Sequence, residues 1–220
     1  PRIKIKKTIF IHPPFNRKYW IDYILSCQKK YFDRIFNKSN IEPSDYVISY
    51  MLCWMGPNNQ TRKPNLYPKL FDETLSVLEQ TCPKIPIFIK PHPSDAGNKD
   101  SLNLLLKIMK KHPKLKLILM HLHPMVLACR TKFFIANTYT TTFAVAKYND
   151  IPCIEYTDYK ESILKATNNR SMRPDMVTHF INRDINKLKL VIKKLMLSPN
   201  IKISDGNKEP LPNEFIEIFH

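Results

Sequence analysis

The sequence predicts an α/β fold, a doubly wound parallel sheet with helices on both faces. Three observations lead to it. Short β-branched and aromatic runs alternate with stretches of helical periodicity along most of the chain. The runs at 85–90, 114–121 and 132–137 are almost continuously apolar, as strands buried on both faces of a parallel sheet must be. The helical stretches between the runs are long enough for right-handed βαβ crossovers. At 220 residues the chain suffices for one such domain with a sizeable core.

In chain order, TIFIH at 8–12 reads as a strand ahead of Pro13-Pro14. Between 17 and 37, Tyr19, Tyr23, Leu25, Cys27, Tyr31, Phe32, Ile35 and Phe36 recur at helical spacing. YVISYMLC (46–53) reads as a buried strand, followed by a polar, proline-bearing loop from Met55 to Pro68 and a helix over 69–81. After the strand at 85–90 comes an amphipathic helix over 100–111, with Leu102, Leu105, Leu106 and Met109 expected inward. The strand at 114–121 precedes a short helix over 124–130. The strand at 132–137 precedes a helix over 140–149, and IPCIEY (151–156) is a further strand. A last helix covers 184–197, and the tail after Ser198 reads as irregular. The organisation expected is one Rossmann-like domain over 1–220. Its N-terminal strand and long helix fill 1–40, its core 41–160, and a C-terminal helix and tail 161–220.

Composition narrows the partners. Thirty-five Lys and Arg against 19 Asp and Glu give a formal charge of +16, which points to anionic partners: nucleic acid, an anionic lipid surface or a phosphate-bearing small molecule. Lysine-rich coding alone also produces such a balance. With 3 Gly against 18 Pro, and neither G-x-G-x-x-G nor G-x-x-x-x-G-K-[ST] present, a phosphate site has to be built from helix ends and side chains. Five cysteines, an odd number with no C-x-x-C pair, read as buried reduced thiols and a reducing, cytoplasmic compartment. No apolar run reaches the roughly 18 residues of a membrane span. The apolar TIFI behind the basic opening is too short for a signal peptide. The expectation is a soluble protein without a transmembrane segment, which could be part of a longer polypeptide.

In an open parallel sheet, ligands bind beyond the carboxyl ends of the strands, so the residues just after each run carry the functional argument. Lys90-Pro91-His92-Pro93-Ser94-Asp95 follow the run at 85–90, and His121-Leu122-His123-Pro124 follow the next. Asn137-Thr138-Tyr139-Thr140-Thr141-Thr142 lead from a strand into a helix, and Glu155-Tyr156 end the strand at 151–156. Four successive strands thus deliver donors, imidazoles or a carboxylate to one rim. Thr140, Thr141 and Thr142 stand where hydroxyls and unpaired helix amides can meet an anion; a threonine there also serves as a plain N-cap. Lys90 and His92 supply cationic chemistry on a turn stiffened by prolines, and an adjacent anion favours the charged imidazole. His121 and His123 share a face if extended, but no third ligand sits at zinc spacing, so no metal is expected. Glu155 at its strand end suits two ribose hydroxyls, or is a plain strand-end carboxylate.

At these residues the chain resembles bacterial and viral GT-B glycosyltransferases: capsular Kdo transferases, sialyltransferases and related CDP-glycerol polymerases. Lys90-Pro91-His92-Pro93 matches their HP motif. Thr140-Thr141-Thr142 stands where they carry paired serines, and Ala144-Val145-Ala146 followed by Asp150-Ile151-Pro152-Cys153-Ile154 matches the helix and strand that follow. The match covers roughly 84–157. It implies a nucleotide-sugar donor, commonly a pyrimidine nucleotide linked through CMP or UDP, with His92 and the threonines at phosphate. It places the His121–His123 loop near the base or ribose; Asn137, Thr138 and Glu155, from their strand ends, complete the expected donor-binding residues. The resemblance also implies a glycan hydroxyl as acceptor and a second domain that a chain of this length has little room for.

The function expected is therefore transfer of a sugar from such a donor to a glycan. Lys90, His92 and the threonines would stabilise charge on the leaving phosphate, with no metal or other cofactor. Trp54 and Tyr67 are candidates for an acceptor face, while Tyr50 reads rather as core. No general base is assigned; His92 and Asp95 are the weak candidates, and Asp95 also reads as a turn residue. The alternatives are a nucleic-acid-binding basic domain, disfavoured by scattered charge and the lack of a binding motif, and a non-catalytic assembly domain on a nucleotide fold.

Overall fold

The computed structural model describes residues 18–53, 66–95 and 98–200. Helix α1 (Lys18–Ser39) leads into β1 (Val47–Met51), α2 (Leu66–Thr81) and β2 (Ile87–Lys90). A 3₁₀ turn at Pro93–Asp95 precedes α3 (Lys99–Met109), β3 (Leu117–Leu119), α4 (Pro124–Ala128) and β4 (Thr131–Ala136). Then come α5 (Phe143–Tyr148), β5 (Cys153–Thr157), α6 (Glu161–Ala166), β6 (His179–Asn182) and α7 (Ile185–Leu197). The six strands pair in parallel throughout, in the order β3-β2-β1-β4-β5-β6. This is the doubly wound α/β, Rossmann-like arrangement that the sequence predicts. The direction of winding reverses between β1 and β4, which makes their carboxyl ends the topological switch point.

Alternation along the strands sorts the core into two layers. Ile48, Tyr50, Ile87, Ile89, Phe133, Ile135, Ile154 and Tyr156 face α2, α3 and α7. Met51, Phe88, Phe134, Ala136 and Cys153 face α1, α4 and α5. In the second layer Phe88 stacks on Phe32 at 5.7 Å between ring centroids, with Phe36 at 5.8 Å from Phe88. The Arg130 guanidinium lies 4.8 Å over Phe32. Aromatic burial of this kind holds the 22-residue helix against the sheet.

Among the described residues the chain turns left-handed on Asn and Asp, and once on Arg183. Asn40 (φ 51°) ends α1 and Asp150 (φ 53°) follows α5. In both cases the next amide returns to a carbonyl five residues back, Ile41 N–H to Phe36 at 3.0 Å and Ile151 N–H to Ala146 at 2.9 Å. Asn and Asp tolerate this region better than other non-glycine residues.

The expected elements form with adjusted bounds. The stretch read as helix over 140–149 is helical only from Phe143. On α3 the buried residues are Leu105 and Ile108, whereas Leu102 and Leu106, expected inward, are 38% exposed. Helix α6 and strand β6 are absent from the sequence-based expectation: α6 buries no residue and β6 is a half-polar edge strand, so neither writes a periodic apolar pattern. Of the loop expected over 55–68, residues 66–68 instead form the first turn of α2, which starts at Leu66 rather than at 69. Its residues 55–65, the strand expected at 8–12 and the tail after Asn200 lie outside the described residues. No helix among the described residues is long and apolar enough to cross a membrane. All five cysteines are free thiols, and burial pushes Cys82 up to about 11 and Cys129, with Cys27 beside it, to about 12.

Candidate functional site

The loops expected to carry function all leave the carboxyl edge of the sheet. Because Phe88 belongs to the α1/α4/α5 layer, Lys90 two residues on stands on that same side. Phe143 belongs to that layer too, so the threonine run that enters α5 does as well. The two segments flank the end of β1, separated by two strand spacings, roughly 10 Å. They share one edge and one side of the sheet.

Lys90 is half-buried, and burial holds its ammonium below its ordinary pKa. His123 is held below the ordinary imidazole value by burial and then by the charge of Lys90. Its Nδ1 accepts the Met125 N–H at 3.2 Å and caps α4. This cap assigns the proton of the neutral ring to Nε2 and leaves that edge as the donor. Trp20 from α1 meets the His123 ring edge-on at 5.6 Å and stacks on Tyr23 at 5.7 Å. His92 is half-buried in the loop after β2, where its carbonyl accepts the Asp95 N–H at 2.9 Å.

His121 belongs to different surroundings. With Leu52, Pro91, Asp95, Ser101, Leu102, Leu105 and Leu119 it lines a pocket of about 260 Å³ on the α3 side of the sheet. The expectation that His121 and His123 share a face if extended is corrected: the His121 imidazole lines the pocket, whereas His123 caps α4. Asp95 sits in this pocket wall, 8% exposed, at the end of the 3₁₀ turn. Among the described residues, no group of three or more His, Cys, Asp or Glu side chains could hold a metal ion.

Beyond β4 and β5 the polar residues are interior. Asn137, 3% exposed, accepts from the Tyr50 hydroxyl and donates to the Tyr156 carbonyl at 3.0 Å and Thr74 Oγ1 at 3.3 Å. Tyr50 is fully buried, and burial raises its pKa well above the ordinary phenol value. Thr138 Oγ1 lies 3.3 Å from the Tyr159 hydroxyl. Glu155, expected to reach a ribose, is completely buried. Its Oε1 accepts the Tyr139 N–H at 2.8 Å and the Tyr159 hydroxyl. A carboxylate with no solvent-facing surface holds the loop rather than meeting a diol. Burial, and then the Glu155 charge, raise the Tyr159 pKa.

Only the end of the segment surfaces, with Thr141 exposed and Thr140 and Thr142 half-buried. The Thr142 N–H turns back to Thr140 Oγ1 at 3.4 Å, and Thr142 starts α5 without capping it through its side chain. Of the expected acceptor residues, Tyr67 is buried at the start of α2, and Trp54 lies outside the described residues.

The structure adds one cation. In the segment before β6, the Arg173 guanidinium lies 5.5 Å over the Tyr139 ring, next to the threonines, and pairs with Asp175 at 3.0 and 2.8 Å. The Asp175 hydrogen bonds raise the Arg173 pKa and Arg173 lowers that of Asp175. The Arg173-Pro174-Asp175 triplet was the available signal, in a stretch without periodicity.

No family model matches the chain, and no curated protein matches it in sequence. Solved structures do. The UDP-GlcNAc 2-epimerase of Methanocaldococcus jannaschii in complex with UDP-GlcNAc and UDP superposes with TM-score 0.54 at 18% identity, over 96% of this chain and 54% of that one. The shared object is the fold. A second structure of that epimerase gives TM-score 0.50 at 19% identity, over 91% of this chain and 53% of that one. A ugt transferase from Siraitia grosvenorii in complex with UDP gives 0.40 at 13% identity, over 77% and 38%. The epimerase and the transferase are GT-B-type folds, and this chain spans about half the length of the epimerase chains.

Proposed function

We propose that this chain is the donor-binding half of a glycosyltransferase that moves a sugar from a pyrimidine nucleotide-sugar, linked through UDP or CMP, to a glycan hydroxyl. The observation that carries the reading is the shared edge and side of Lys90 and the Thr140–Thr142 run, across the switch point of a Rossmann-like sheet, with His92 in the loop that follows Lys90. Lys90 and the Nε2–H of His123 supply charge and a donor from one flank. The threonine hydroxyls, with Arg173 behind them, supply donors from the other. Donors fixed before substrate arrives stabilise charge that develops on a leaving phosphate, without reorganisation during the reaction. With these cations in place the proposed transfer uses no metal or other cofactor. Asn137, Thr138 and Glu155 serve by holding the loop, and the donor contacts are Lys90, His92, His123 and the three threonines.

The HP-like and threonine motifs support kinship with Kdo transferases and sialyltransferases, and the epimerase crystallised with UDP-GlcNAc supports a uridine nucleotide. Coverage of about half of that neighbour supports a further unit, on a longer polypeptide, that supplies the acceptor site and general base. Free thiols throughout support a cytoplasmic setting. The same neighbour supports a second reading, chemistry on a UDP-sugar without an acceptor.

Calorimetric titration with UDP, CDP and CMP tests the proposal. Saturable binding of at least one nucleotide, weakened by His92→Ala, is expected; no binding of any of the three contradicts it. Incubation with UDP-GlcNAc, followed by NMR of the sugar, separates the readings. Acceptor-dependent UDP release belongs to the first, and a new epimer without acceptor belongs to the second.

A further inference from the structure

Helix α7 buries Leu188, Ile192 and Leu195 against the sheet, which leaves the opposite face to solvent. That face is not the polar surface expected of an amphipathic helix. Leu190 is 68% exposed and Leu197 89%. Seven residues apart, the two lie nearly in line on the helix, offset by about 20°. Lys187 and Lys194, also seven apart, flank them on one shoulder and Lys193 on the other. All three lysines are exposed, and α7 contains no acidic residue. The local potential registers on a neighbour: burial, then Lys194 and Lys187, hold His179 on β6 below its ordinary pKa. The end of the helix is fixed by Lys132, whose ammonium bonds the Ser198 carbonyl and Asn200 Oδ1, the latter at 2.7 Å.

We infer that the outward face of α7 docks on an anionic phospholipid bilayer. Two leucines at the crest, with ammonium groups on both shoulders, match the depth profile of such a surface. The apolar tips enter the acyl boundary while the lysine stems lie along it and the charges stay among the phosphates. The other partners fit this face less well. A nucleic acid satisfies the lysines and leaves both leucines in water. A second copy of the chain brings lysine against lysine. The helix starts at the carboxyl edge after β6 and runs back toward the amino edge, so docking on its flank leaves the carboxyl edge open to solution. The inference does not depend on the proposed donor chemistry.

Co-sedimentation of the full chain with vesicles tests it, using phosphatidylcholine alone and an equal mixture of phosphatidylcholine and phosphatidylglycerol. Binding to the mixed vesicles and not to the neutral ones is expected. It should fall roughly tenfold or more for the double variant Lys187→Glu/Lys194→Glu, and likewise for Leu190→Ser/Leu197→Ser. All four side chains are exposed, so circular dichroism of both variants should match the parent. Three outcomes overturn the inference: no pelleting with mixed vesicles, equal pelleting with neutral ones, or binding that the lysine variant abolishes and the leucine variant leaves intact. The last, paired with salt-sensitive retention of random-sequence DNA, assigns the face to nucleic acid instead.

Discussion

The loops beyond β2 and β3 and the loops beyond β4 and β5 look alike in sequence, each a cluster of polar residues at a strand end. In the structure they have opposite fates. Lys90, His92 and His123 sit at the rim, half-buried or exposed. Asn137, Thr138 and Glu155 are buried and bonded to Tyr50, Tyr156, Tyr159 and the Tyr139 amide. A polar group removed from water must find partners inside the protein, so the second cluster was committed to architecture. The lesson is a division of labour. One flank of the switch point leaves its cationic and imidazole groups at the rim, and the other uses its polar groups to shape the threonine turn.

Variants can break this division. The largest effect is expected for Asn137→Ala, which takes one of two partners from the buried Tyr50 hydroxyl and empties a three-partner knot. A loss of about 2–4 kcal/mol of stability in urea unfolding is expected, and a loss below about 0.5 kcal/mol would show that the knot is idle. Lys90→Ala is expected to do the reverse: nearly unchanged unfolding, with nucleotide affinity reduced about tenfold, or about 1.4 kcal/mol. A large stability loss with intact affinity would exchange the roles of the two flanks. Tyr159→Phe removes one donor from Glu155 and is expected to cost about 1 kcal/mol, read by thermal unfolding; an unchanged midpoint would mean that Glu155 is held without it.

The smallest effect is a pH dependence. The folded pKa of His123 lies below its unfolded value, so the unfolded chain binds the proton more readily. Its stabilising contribution is then present above about pH 6.5 and lost as the pH falls toward the folded value. Protonation also ends the Nδ1 cap on Met125. His179 shifts in the same direction, so the two are told apart by His123→Gln, which should flatten part of the acid slope. An unchanged slope would remove His123 from the account.

Much of this was legible beforehand. Continuous apolar runs such as IPIFIK and KFFIAN announce strands buried on both faces, and their carboxyl ends locate the rim. Residue types alone could not tell which strand-end polar groups face inward. That choice depends on alternation across the sheet and on side chains supplied from elsewhere: Tyr50 reaches Asn137 across 87 positions, a pairing that no local pattern encodes. Edge strand β6 and the short α6 escaped because a strand paired on one side and a helix that buries nothing carry no period. Arg173 escaped with them. Its place over Tyr139 depends on that unpatterned segment returning to the rim.

The central claim is that the Lys90–His92 turn and the Thr140–Thr142 stretch grip one phosphate group from two sides. A double-mutant cycle with His92→Ala and Thr141→Ala, read as UDP affinity by calorimetry, tests it most directly. Groups that share one ligand atom cluster should couple, so the account predicts that the double variant loses less than the sum of the single losses, by about 0.5 kcal/mol or more. Single losses that add within about 0.3 kcal/mol, or a Thr141 variant that binds UDP like the parent, would contradict it.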